Sequence, residues 1–142
     1  MSIMKKIFLL STVLLFSLHL FAQDETKDNG PVDGPQVTFA KSSHDFGDIQ
    51  QGDKVNYVFE FENTGTEPLI LSNVLTTCGC TATSWPREPL APGERGEIAV
   101  SFNSAGKMGK QNKVVTVVSN AVNAQERVKI ITNVLPKKDS TQ

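Results

Sequence analysis

The run Val55-Asn56-Tyr57-Val58-Phe59-Glu60-Phe61-Glu62 has a two-residue period. Val55, Tyr57, Phe59 and Phe61 occupy alternate positions, with Asn56, Glu60 and Glu62 between them. Successive side chains point to opposite faces of a strand, so this spacing makes one face apolar and the other wet. Val58 is the single apolar residue on the wet side. Asn63-Thr64-Gly65 follows with turn chemistry that closes the strand.

The same period recurs on both sides of this run. Before it, Val37 and Phe39 share one face of a short strand, and His44-Asp45-Phe46-Gly47 leads into a bend at Gly47. After it come Leu69-Ile70-Leu71 and Val74-Leu75, then Ile98, Val100 and Phe102 alternating with Ala99, Ser101 and Asn103. Residues 114–118 are continuously β-prone, and Val128, Ile130 and Thr132 alternate in the last strand. Phe59, Phe61, Ile98, Val100 and Phe102 are the expected core. No window carries apolar residues at sustained helical spacing, so the crossover helices of a parallel sheet are missing. About seven strands broken by turn residues predict an all-β fold, two sheets packed face to face in an immunoglobulin-like sandwich.

The N-terminus reads as a secretory signal over residues 1–22. Lys5 and Lys6 precede an uncharged, mostly apolar stretch that ends at the small residue Ala22. The stretch is shorter than the roughly 20 residues a membrane span needs. Residues 23–35, with two prolines and two glycines among charges, read as a flexible linker. The folded domain is expected over residues 36–135, and residues 136–142 form a polar tail. Export to the periplasm or the extracellular space follows, with no stable membrane insertion after cleavage.

Without Lys5 and Lys6 the chain carries 12 basic residues against 15 acidic ones, a net charge near −3. That balance offers no electrostatic footprint for nucleic acid. A domain of about 105 residues buries roughly two-thirds of its unfolded surface, enough for a core without staples. The chain has two cysteines, Cys78 and Cys80, so it is no disulfide scaffold.

Cys78-Gly79-Cys80 is the sharpest chemical feature. Two thiols this close form a possible disulfide or redox pair, or two ligands for a soft metal ion. A disulfide here closes so small a loop that chain entropy supplies only about 1.6 kcal/mol, against about 4.7 for a hundred-residue loop. With His44, the chain beyond the signal holds three metal-ligand candidates where structural zinc needs four. Copper(I) needs only the two thiolates. No cofactor is expected.

Nor does any catalytic set emerge. Ser42, Ser43 and Asp45 adjoin His44, but neighbouring residues on one strand cannot converge as a triad. His44 is expected to be hydrogen-bonded locally. Glu60 and Glu62 lie on the wet face, where solvation explains them. Residues 106–110 lack the spacing of a phosphate loop and read as a hairpin turn. Trp85, before Pro86, reads as an anchor at the core or its edge.

Asp45-Phe46-Gly47-Asp48-Ile49, Phe59-Glu60-Phe61-Glu62-Asn63-Thr64-Gly65, Cys78-Gly79-Cys80-Thr81, Pro92-Gly93 and Ser119-Asn120-Ala121 also stand together as a pattern. In these motifs the chain resembles the bacterial family called "domain of unknown function 1573", from about Val37 to Val134. That family is related to the immunoglobulin-like domains of Hydin and the abnormal-spindle group. Ile131-Thr132-Asn133-Val134 lacks a glycine that members often carry there. The resemblance implies a seven-stranded sandwich and, by analogy of fold alone, a protein-interaction role. The expected function is therefore an exported, non-enzymatic binding module whose partner is a protein or a cell-envelope component. The alternative is a thiol-redox or copper(I)-handling protein using Cys78 and Cys80.

Overall fold

A computed structural model describes Gly30 and residues 32–138. The expected signal, most of the expected linker and the end of the polar tail lie outside the described residues.

Eight strands form: β1 (Val37–Phe39), β2 (Ser43–Gln50), β3 (Lys54–Asn63), β4 (Leu71–Thr76), β5 (Cys80–Ser84), β6 (Arg95–Asn103), β7 (Gly109–Ser119) and β8 (Gln125–Leu135). They make two four-stranded sheets, in the orders β1-β3-β6-β5 and β2-β8-β7-β4. All pairs are antiparallel except β2 with β8. The expected sandwich is present, with one strand more than the seven anticipated. Two strands, β2 and the additional β5, are hard to read locally. β2 is interrupted by a register shift between Asp45 and Asp48. β5, Cys-Thr-Ala-Thr-Ser, has no large apolar residue and is made a strand by pairing with β6.

The alternation of β3 and β6 builds the core. Phe59 lies opposite Ile98, and Tyr57 opposite Val100, in one unbroken register. Phe59, Phe61, Ile98, Val100 and Phe102 are each at most 2% exposed, as the period predicts. From the other sheet Val115, Val117, Val128 and Ile130 close over them, at 0–1% exposure. Burying one such side chain is worth about 1.5–3 kcal/mol, so this two-sided layer carries most of the stability. Phe61 crosses Gly96, its partner on β6, and a Cβ there would lie 2.5 Å from the ring. Trp85 packs at the core's margin, as expected.

Residues 106–110 do not form a hairpin. β6 and β7 belong to different sheets, so this segment carries the chain across the sandwich. Local turn chemistry is the same for a hairpin and a crossing; only the sheet that receives the next strand distinguishes them. The chain crosses in the same way at residues 40–42, between β1 and β2, and at residues 77–79, between β4 and β5.

Asn63 ties three segments together. It is fully buried, and its Oδ1 accepts from the Gly65 and Gln36 amides at 3.1 and 3.3 Å. Its Nδ2 donates to the carbonyls of Glu67 and Leu90 at 2.8 and 3.0 Å. Gly65 is packed so tightly that a Cβ would strike the Gly34 carbonyl oxygen and the Gln36 nitrogen. Hydrogen-bonded structure begins ahead of the expected boundary at residue 36: Val32 bridges Gly65, and the Gly34 amide donates to Thr66 Oγ1 at 2.9 Å.

Candidate functional site: the open side of the sandwich

Cys78 lies on the crossing between β4 and β5, and Cys80 opens β5 opposite Phe102. The Cys80 amide donates to the Thr77 carbonyl at 3.1 Å, and Gly79 adopts φ 93°, a left-handed conformation that suits glycine. Both thiols are free; Cys78 is exposed and Cys80 buried. Burial pushes the Cys80 thiol above its ordinary pKa, and nearby Lys113 offsets this only in part. A raised pKa leaves little thiolate at neutral pH, and the thiolate is the reactive and metal-binding form. His44 is not brought to the pair. Among the described residues no group of three or more His, Cys, Asp or Glu converges as a metal site.

His44 sits on β2, on the side of the sandwich where the chain has just left β1. Alternation along β2 turns Ser43 and Asp45 outward and His44 and Phe46 inward. Asp45 Oδ1 accepts from the Gly47 amide at 2.8 Å, so it serves the bend and does not orient the imidazole. Ring contacts take the place of the expected local hydrogen bond. The imidazole stacks on Tyr57 with centroids 3.7 Å apart and meets Phe46 edge-on at 4.5 Å. Tyr57 in turn meets Phe59 at 4.8 Å, which links the cluster to the core. Desolvation among the rings, followed by the charge of Lys41, lowers the His44 pKa; Asp45 works in the opposite direction. His44, Phe46 and Tyr57 are all half-buried, so the cluster is the core's outcrop on this side.

Beside the rings runs an open strand edge. β1 pairs with β3 only at Asn63, Glu62 and Phe61, and the last bond is from the Ala40 amide to the Glu60 carbonyl at 3.0 Å. From Lys54 to Val58, no described strand pairs with β3 on the side away from β6. Lys54, Asn56 and Val58 are exposed, and Val58 is 43% exposed. A cavity of about 190 Å³ begins there, lined by Ala40, Lys41, Tyr57, Val58, Phe59 and Glu60. Sequence reasoning singled out none of these as a site. The available signal was Val58 itself, the lone apolar residue on the wet face of its strand.

Two other features are weaker. The Arg87 guanidinium lies 3.8 Å above the Trp85 ring, which covers the tryptophan with the protein's own cation. Glu62 pairs with Arg95 at 3.3 Å, but the Arg95 side chain is 82% exposed and that of Glu62 38%, so the pair contributes little. Glu60 is exposed, as a solvated-face residue should be.

Solved structures with this fold include a protein of unknown function from Porphyromonas gingivalis W83. It is 17% identical, with a TM-score of 0.61, over 77% of this chain and 51% of that one. The ASH/PapD-like domain 7 of human CEP192 is 12% identical with a TM-score of 0.60, over 84% of this chain and 99% of that domain. The secreted serine protease VesC from Vibrio cholerae is 14% identical with a TM-score of 0.57, over 70% of this chain. This chain spans only 23% of VesC and 51% of the Porphyromonas protein. At such identities the likeness is one of fold. No curated protein matches the chain. The family model described as "Protein of unknown function (DUF1573)" matches residues 37–134, nearly the whole of the eight-stranded sandwich, and the chain belongs to that family.

Proposed function

We propose that this chain is an exported interaction module, not an enzyme, that binds a protein or cell-envelope component through the open side of its sandwich. One observation carries the reading: half-exposed rings of His44, Phe46 and Tyr57 lie beside an unpaired stretch of β3 that displays an apolar Val58. Apolar rings give an interface its desolvation energy, and backbone groups on a rigid strand give it direction. The likeness to an ASH/PapD-like domain supports a binding scaffold at the level of fold. Export rests on the basic and apolar leader of residues 1–22. The thiol-redox and copper(I) alternative draws less support, because the buried Cys80 is held in its thiol form.

Photocrosslinking tests the proposal. A benzophenone amino acid is placed singly at Lys41 on the open side, at Glu88 near the tryptophan, and at Met108 on the crossing between β6 and β7. The proteins are irradiated in envelope preparations. A discrete protein adduct from Lys41 that is absent from Glu88 and Met108 is expected. Adducts from no position would overturn the module reading itself.

A further inference from the structure

We propose that β3 accepts an extended peptide segment of a partner protein as an additional strand along residues 54–58, in line with β1 and antiparallel to β3. The inference rests on the interaction-module reading and names its partner class and binding mode.

The register defines the free groups. Glu60 accepts from Ala40, and the Thr64 amide donates to the Gln36 carbonyl at 3.0 Å. Even-numbered residues of β3 therefore direct their N–H and C=O groups toward the β1 side, and odd-numbered residues direct theirs toward β6. Pairing on the β1 side ends at Ala40, because the Ser42 carbonyl already accepts from Lys129 of the other sheet at 2.9 Å. Val58, Asn56 and Lys54 thus present three donor–acceptor pairs, about 6.8 Å apart along the strand, with no described strand to receive them. Only another extended backbone offers donors and acceptors at that repeat.

The other sheet edges are blunted. β1 is three residues long. β2, β4 and β5 each carry a register irregularity, at Asp45/Asp48, Leu71/Asn73 and Ala82/Ser84. Bulges and short strands are the usual protections against stray pairing. β3 keeps unbroken register with β6 through this stretch and has only Lys54 as a charged guard.

Alternation specifies the ligand. Its residues opposite Tyr57 and Val55 point inward, toward the Tyr57 ring and the half-buried Val55, and should be apolar. Its residues opposite Val58, Asn56 and Lys54 lie on the outer face. There a β-branched residue suits Val58 and an acidic residue suits Lys54. In chain order the segment reads β-branched, apolar, polar, apolar, acidic. A second copy of this chain fits less well. If its β3 paired symmetrically about Asn56, its Gly52 would fall opposite Glu60, where Ala40 already sits.

A test removes the backbone donor while sparing the fold. Val58 donates nothing to β6, so Val58→Pro loses no ladder bond and proline is tolerated on an edge. The urea midpoint of Val58→Pro reports whether its fold is kept, and Met108→Ala, on the crossing between β6 and β7, serves as control. Linear twelve-residue peptides are selected from a random phage library against the wild-type protein, then titrated against all three proteins. Selected peptides should carry the alternating pattern and bind Met108→Ala as they bind wild type. They should bind Val58→Pro at least about 10-fold more weakly, the worth of one good hydrogen bond. On binding, the Asn56 and Val58 amides should exchange at least about 10-fold more slowly. Equal binding to Val58→Pro, or failure to select any peptide, overturns strand addition. Self-association that Val58→Pro abolishes overturns it too, and assigns the edge to a second copy. If the Lys41 crosslink persists undiminished in Val58→Pro, strand addition fails while the module reading stands.

Discussion

Replacing Asn63 with alanine should be among the most damaging single changes outside the apolar core. The side chain makes four hydrogen bonds, to the Gln36 and Gly65 amides and to the Glu67 and Leu90 carbonyls. Those to Gly65 and Leu90 are buried; those to Gln36 and Glu67 are part-buried. A buried group left without a partner costs about 1–3 kcal/mol, which applies to the Gly65 amide; the Leu90 carbonyl keeps the Leu69 amide at 2.8 Å and the other two partners can regain water, so those three bonds cost about 0.5–1.5 kcal/mol each. The expected loss is therefore about 2.5–7.5 kcal/mol, a large share of the 5–15 kcal/mol typical of a domain. Urea unfolding followed by circular dichroism measures it. At a slope of about 1.5 kcal/mol per molar, the midpoint should fall by roughly 2–5 M. Asn63→Asp should be nearly as harmful, because a carboxylate cannot donate to the Glu67 and Leu90 carbonyls. A midpoint shift below about 0.7 M for Asn63→Ala would refute the reasoning, since water would then be replacing the amide at little cost.

Other outcomes follow from single side chains. Phe102→Ala empties a fully buried position and should cost about 3–5 kcal/mol, lowering the melting temperature by more than about 10 °C; an unchanged melt would contradict the inward assignment of β6. Iodoacetamide should modify Cys78 rapidly in the native protein and Cys80 only on unfolding; mass spectrometry reads this directly, and equal rates would refute the burial of Cys80. His44 has its pKa lowered from 6.5 in the folded state, so below about pH 6.5 the unfolded chain binds the proton that the folded chain resists. Its stabilising contribution should be complete above that pH and lost as pH falls through the folded value. Chemical denaturation should therefore show wild type losing stability relative to His44→Phe between pH 7.5 and 5, and a constant difference between them would refute the shift.

Much of this fold is legible locally. The alternation of residues 55–62, 98–102 and 128–132 needs no tertiary information, because a strand's two-residue period converts spacing into facing. Those positions became the core, and the absence of any helical period limited the fold to sheets. β5 was not legible in the same way: Cys80–Ser84 has little to bury and becomes a strand only because β6 is available to pair with it. Residues 106–110 carry turn chemistry that serves a hairpin or a sheet crossing equally, and the placement of β7 decides between them. The site divides along the same line. The thiol pair is visible as a motif, yet its chemistry depends on tertiary burial that leaves Cys78 outside and Cys80 inside. Val58 is visible as a break in the pattern, but an edge exists only relative to absent neighbours. Which residues face inward can be read along the chain, since that property is periodic and local. Which backbone groups stay unpaired, and which rings flank them, was decided only when β1 turned away at Ala40 and β2 joined the other sheet.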